Sequence, residues 1–277
     1  MRTISSKIYD KEYYLKHCFG FEEFKASKGK RVLLQTKILV DLLNINEGEN
    51  VLDIGCGRGD LAMEVARRGA NVIGVDYSKD AIEIANSALK EQPQDVVKKV
   101  KFFQMNAKKL KFNSSSFDKV ISIDVFEHLY KEELEIAMKE IKRVLKPGGA
   151  LIVVTGYNKI YLDYTYRFWA YPLDKILIKF NKLLTSKDYP SLPNKPRNDL
   201  HIKQHVNEPT YFYLKDLFRR HEFYGKVRSI IPLKPTLSWK DRFYNIVVSL
   251  SPFSSYFPLH LLFAHEYICI VKNKKAL

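Results

Sequence analysis

From about residue 50 the chain alternates short β-branched runs with stretches whose apolar residues recur every three to four positions. That rhythm predicts a parallel sheet joined by crossover helices. The expected strands are "NVLDI" (50–54), "NVIGV" (71–75), "VKFFQ" (100–104), "DKVISI" (118–123) and "ALIVVT" (150–155). Between them, "DLAMEVARRG" sets Leu61, Val65 and Ala66 on one helical face, and "SKDAIEIANSALK" opens on Ser78, a residue type suited to an N-cap. A longer helix buries Leu134, Ala137, Met138, Ile141, Val144 and Leu145, then stops at Pro147 and the glycine pair.

After Thr155 the rhythm changes. Residues 156–201 are dense in aromatics and end in the proline-punctuated "YPSLPNKPRNDL", so they are expected to form an insertion, either a lid or a substrate- or membrane-contacting element. A helix from Thr210 to His221, a strand near 225–232 and a last strand near 265–272 then resume the sheet pattern. Between those strands Trp239, Phe243, Ile246, Val247 and Leu250 fall at helical spacing. The resulting division is a flap over 1–29, one domain built from 30–155 and 202–277, and the insertion between them.

Composition narrows the setting. A chain of 277 residues, 46% hydrophobic, can bury a substantial core. Cys18, Cys56 and Cys269 form no CxxC pair, which fits a reducing cytoplasm and suggests neither a disulfide framework nor a thiolate zinc site. The first residues lack the apolar core of a signal peptide, and no apolar run approaches the ~20 residues that span a bilayer. The formal charge of +15 is uneven: residues 1–155 carry 26 Lys and Arg against 22 Asp and Glu, whereas residues 156–277 carry 20 against 9. An anionic partner is therefore expected to meet the second half.

The chemistry concentrates in "VLDIGCGRGD". Gly55, Gly57 and Gly59 allow a tight turn and close ligand approach, but their spacing is not that of the nicotinamide motif. Asp53 and Asp60 make the turn acidic, so it would repel a pyrophosphate and suit a ligand with an amino or sulfonium cation. Asp76 ends the second strand, where a carboxylate can accept from both hydroxyls of a ribose. Asn106 ends the third strand, where its amide could meet an adenine edge or serve an ordinary turn.

In this order and spacing, "VLDIGCGRGD", "VIGVDYS", "FFQMNA", "FDKVISIDVFEHL" and "RVLKPGGALIV" resemble the class I S-adenosylmethionine-dependent methyltransferases, most closely the broad type 11 group acting on small molecules. The resemblance implies an α/β, Rossmann-like sheet of seven strands sandwiched by helices, mostly parallel, with the last strand antiparallel. It implies that Gly55, Cys56, Gly57, Asp60, Asp76, Tyr77, Asn106, Ala107, Asp124 and Tyr14 bind S-adenosyl-L-methionine. The family more often has Asp at the position of Asn106. Transfer would then be a direct in-line displacement at the sulfonium methyl, for which the protein must align the acceptor and manage its proton.

Asp124, Glu127 and His128 stand at i, i+3 and i+4 and would share one face if a helix began there. A similar group binds a divalent cation in ubiquinone-pathway O-methyltransferases. The preferred reading is metal-free, with His128 or His205 as general base. The acceptor implied is a small molecule or a lipid-linked glycan or quinone, since the amino-terminal segment, with Tyr13, Tyr14 and Phe19, resembles that of methyltransferases acting in surface-glycan and lipid-linked sugar pathways. Nucleic acid is disfavoured, because "DVFEH" replaces the motif of base-nitrogen methyltransferases; RNA 2′-O-methylation is the alternative. Leu173, Ile176, Leu177, Phe180, Leu183 and Leu184 form one apolar stripe with Lys175, Lys179 and Lys182 elsewhere. A buried lid helix is the preferred explanation. The other is peripheral contact with an anionic membrane at its inner surface. Oligomeric state is left open.

Overall fold

A computed structural model describes residues 2–185, 191–231 and 239–274. Its seven strands are β1 (Asn50–Ile54), β2 (Asn71–Asp76), β3 (Val100–Gln104), β4 (Phe117–Ile123), β5 (Leu145–Gly156), β6 (Phe223–Ile230) and β7 (Glu266–Asn273). They form one sheet in the order β3-β2-β1-β4-β5-β7-β6. The pairs β1–β2, β1–β4, β2–β3 and β4–β5 are parallel, and β7 runs antiparallel to both β5 and β6. This is the Rossmann-like sheet expected, with its last strand reversed.

Alternation along the strands explains the two-sided burial. Val51, Val72, Ile121 and Ile152 pack beneath α1 (Phe21–Ser27), α2 (Leu34–Leu42), α3 (Asp60–Arg67), α4 (Lys79–Leu89) and α5 (Gln94–Lys99). Leu52, Val120, Leu151 and Val153 face the opposite way, against α6 (Lys131–Val144) and α9 (Tyr211–Arg220). Ser78 caps α4 by accepting from the Ala81 N–H at 3.2 Å, and all six apolar residues expected of the α6 run are buried.

The differences from the sequence reading have local causes. Leu61 is only half-buried, because α3 turns Ala62, Met63, Val65 and Ala66 to the core. The α6 helix ends at Val144, since Leu145 is already extended and pairs with Phe117 at the start of β5. The β6 strand starts two residues before the expected 225, and residue 232 lies outside the described residues. The aromatic segment is helical: a π-helical stretch, Tyr161–Ala170, runs into α7 (Tyr171–Thr185), and α8 (Asp199–Gln204) follows. Residues 189 and 190 of the proline-punctuated stretch, and the Leu184 side chain, lie outside the described residues. The helices α10 (Trp239–Ser249) and α11 (Leu259–Phe263) lie between β6 and β7. The α7 stripe is covered only in part, short of the buried lid expected: Leu173 and Leu177 are half-buried while Ile176, Phe180 and Leu183 are exposed, and the buried residue among the described side chains of α7 is Asp174.

Candidate functional site

The chain leaves β1 to build β2 and β3 on one side, then returns through β4 to build the other. The carboxyl ends of β1 and β4 therefore flank a crevice at the point where strand order reverses, where open α/β sheets bind ligands.

The glycine turn lies at this crevice. Gly55, Gly57 and Gly59 all have positive φ. At Gly55, with φ +75°, an added Cβ would come within 2.3 Å of Val125 Cγ2, so only glycine joins β1 to the loop after β4. Gly55→Ala is expected to cost roughly 2–4 kcal/mol, from left-handed backbone strain plus overpacking. Val125→Ala on that background should recover the steric share; a Gly55→Ala protein that melts like the parent would refute the contact.

Four carboxylates face this turn. Asp53 is buried and its Oδ2 has no partner; Asp60 pairs with Arg58 at 3.0 Å but leaves Oδ1 unpartnered. Asp76 is buried, with Oδ2 accepting from the Gly57 N–H at 3.1 Å and Oδ1 from the Ser78 N–H at 2.8 Å. Asp124 adopts a left-handed φ of 52° and keeps solvent contact on its crevice side, while the protein packed around its other sides strips water from the carboxyl. Burial raises all four, carrying the Asp53 carboxyl up to about 7 with help from the charges of Asp76 and Asp60; for Asp124 the charge of Glu266 adds to it. Four carboxylates against the single Arg58 guanidinium, with orphaned oxygens on Asp53 and Asp60, fit a cationic ligand, as the amino and sulfonium groups of S-adenosylmethionine would supply. A bound cation lowers these pKa values, so binding should release protons near pH 7 and tighten as pH rises from about 6 to 8. Calorimetry in two buffers of different ionisation heat reads this directly; zero proton release would count against the cation-in-cradle assignment.

The amino-terminal segment closes one side. Tyr14 is buried against Gly57, and its hydroxyl stands within reach of Asp76. Arg58, which sequence reasoning passed over, is buried and donates to the carbonyls of Tyr14 (2.9 Å) and Phe19 (2.7 Å), tying this segment to the glycine turn. Of the other aromatics, Tyr13 is half-buried and Phe19 points to solvent. Cys56 is buried and burial pushes its thiol well up, which suits a packing role. Tyr77 is half-buried beside the Tyr9 ring. Asn106 accepts from the Lys108 N–H at 2.9 Å, the ordinary turn role, so its side-chain carbonyl is already engaged and its NH2 is the group left for a ligand. Ala107 beside it is half-buried.

Asp124, Glu127 and His128 do not share a helical face. Asp124 is left-handed and a single 3-10 turn, Phe126–His128, follows it, so no α-helix stacks the three at i, i+3 and i+4. Glu127 is buried at the end of β5, where it accepts from Thr155 Oγ1 (2.9 Å) and the Gly156 N–H (3.2 Å); burial and the Asp124 charge push its carboxyl well up. No group of three or more His, Cys, Asp or Glu among the described residues is placed to hold a metal ion.

The histidines instead gather around Tyr157, which follows β5 directly. The Tyr157 ring lies 5.2, 5.3 and 4.7 Å from those of His201, His205 and His265, and His128 lies 4.9 Å from His205. His128 Nδ1 is 3.1 Å from the Gln204 carbonyl, which only accepts, so the proton is assigned to Nδ1 and Nε2 keeps its lone pair; Tyr9 Oη, 2.9 Å from Nδ1, accepts from the same N–H. His205 Nδ1 is buried without a partner. Burial lowers His128 to about 4, His265 to about 4 and His205 to about 3, so these rings are neutral near pH 7. Sequence spacing pointed to His128 and His205. Tyr157 and His265 were missed, although the strand-end rule applied to β5 would have found Tyr157.

Residues 52–153 match the model of a family described as a methyltransferase domain, of type 11. The chain is 34% identical over 152 residues to a sterol 4-C-methyltransferase of Caenorhabditis elegans, covering 54% of this chain and 44% of that protein. It is 37% identical over 109 residues to a ubiquinone biosynthesis O-methyltransferase of Rhizobium etli, covering 39% and 42%. The chain thus spans less than half the length of either relative. Its fold is similar to that of a solved SAM-dependent methyltransferase from Methanosarcina mazei, with a TM-score of 0.54 at 22% identity over 86% of this chain and 98% of that one.

Proposed function

The chain carries a class I S-adenosylmethionine-dependent methyltransferase domain, and on that basis we propose that it methylates an oxygen of a small-molecule or lipid-linked acceptor by direct transfer. Bound S-adenosylmethionine supplies an electrophilic methyl on a sulfonium leaving group. The chain's residues must hold it, align the acceptor and receive a proton. Gly55, Cys56, Gly57, Asp60 and Asp124 would hold the amino acid part, Asp76 the ribose, and Tyr77, Asn106 and Ala107 the adenine, with Tyr14 covering the site.

The observation that carries this reading is the cluster of neutral imidazoles around Tyr157, beside the acidic cradle but distinct from it. His205 is the proposed general base, since its Nδ1 has no other partner, and His128 and Tyr157 position its ring. The oxygen of an alcohol becomes strongly acidic as the methyl bond forms. A ring that resists protonation in the free protein can therefore take that proton late in the transfer.

The acceptor class draws on the relatives' names, a sterol and a ubiquinone-pathway enzyme, and on the aromatic segment after β5. Incubation with methyl-labelled S-adenosylmethionine and parallel fractions of lipid extract, polar metabolites and RNA tests it. Label in the lipid or metabolite fraction is expected; label in RNA alone would replace this reading with the nucleic-acid one.

A further inference from the structure

The helices α7 and α10 each leave an apolar stripe uncovered while burying polar side chains. Both bury polar groups: Asp174 is fully buried and accepts from Tyr244 Oη at 2.6 Å and from the Leu192 N–H at 2.9 Å, and α10 buries Asn245 and Ser249 beside Val248. Each also turns large apolar side chains outward. Ile176, Phe180 and Leu183 on α7 and Trp239, Phe243 and Ile246 on α10 follow i, i+4, i+7 spacing and are all exposed, Leu183 to 81% and Trp239 to 73%. Phe253, Tyr256 and Phe257, in the turn after α10, are exposed as well. Stripes of this spacing are ordinarily the buried side of a helix, and apolar exposure on this scale marks an interaction surface.

The charge around the stripes selects the occupant. Lys175 and Lys179 on α7 and Lys240 and Arg242 on α10 flank the stripes, while Asp174 is internal. A second copy of the chain would bring like charges together, whereas an anionic lipid surface takes the cations at its headgroups and the apolar rings just beneath. The surface also adjoins the candidate site. A series of rings runs from His265 through Tyr161 (5.2 Å) and Tyr166 (6.1 Å) to Tyr171 (6.1 Å) at the start of α7.

We propose that the outward faces of α7 and α10, with the Phe253–Phe257 turn, seat this protein on anionic lipid bilayers. The inference goes beyond the proposed methyl transfer and does not depend on it. Sedimentation of the full chain with vesicles of phosphatidylcholine plus phosphatidylglycerol, against phosphatidylcholine alone, tests it without any turnover. Roughly tenfold or greater preference for the anionic vesicles is expected, falling with added salt. Phe180→Glu with Phe243→Glu should abolish it, and since both side chains are exposed, thermal melting should show the fold intact. Vesicle binding that these substitutions leave unchanged, or no binding by the parent, would overturn the proposal. So would a concentration-dependent dimer that the same substitutions dissociate, which would assign the surface to a second copy.

Discussion

Replacing His205 with alanine is expected to slow methyl transfer by roughly 10²-fold or more while leaving S-adenosylmethionine affinity unchanged. The expectation rests on placement, since the ring stacks on Tyr157, meets His128 edge-on and offers a buried nitrogen with no partner. Burial first, then the neighbouring charges of His128, His201 and Arg197, lowers the ring to about 3. A general base works unprotonated, so lowering its pKa extends activity toward acid. With S-adenosylmethionine saturating, so that the pH dependence of its binding drops out, the kcat of the parent should therefore stay flat from about pH 8 to about pH 5, where an ordinary histidine near 6.5 would already be mostly protonated. Full turnover in the variant would exclude His205 as the base. A rate that falls with an apparent pKa near 6.5 would show that the cluster is not desolvated during turnover.

The second large effect is on cofactor binding. Asp76→Ala should weaken binding of S-adenosylmethionine, and equally of S-adenosylhomocysteine, at least tenfold, because charge-assisted hydrogen bonds of about 1.5–3 kcal/mol each would be lost. The product's equal loss is diagnostic, since both ligands carry the same ribose and only one carries the sulfonium. Alanine also leaves the Gly57 and Ser78 N–H groups without their acceptor, so a melting curve must accompany the calorimetry. Asp76→Asn keeps an acceptor for one of them and separates the two causes. Unchanged affinity in the alanine variant would remove Asp76 from the ribose.

The elements that sequence disclosed best are those whose burial is set by local alternation. The strands β1 to β4 and the helix α6 are continuous apolar patterns, and the glycine turn with Asp53 and Asp76 is positioned by the strands that precede each. What stayed hidden depends on contacts distant along the chain. Arg58 looks like a solvated residue in a glycine-rich loop, and only the folded amino-terminal segment makes it a buried tie. The helical face expected for Asp124, Glu127 and His128 failed because a left-handed residue and a 3-10 turn replaced an α-helix, which spacing alone does not reveal. The α7 stripe was correctly periodic, but its direction depended on Asp174 finding Tyr244, a residue 70 positions away.

The position of β7 bears on how the chain reaches its native state. Residues 266–273 enter the sheet between β5 and β6, so β6 has no partner among the earlier strands and cannot join until the final strand arrives. During synthesis the half built from β1 to β5 can assemble first, exposing the edge of β5 until more than a hundred further residues have emerged. A ribosome that pauses before residue 266 would therefore display an unpaired β5 edge to chaperones, and nascent chains halted there should be more sensitive to protease than chains released past Asn273.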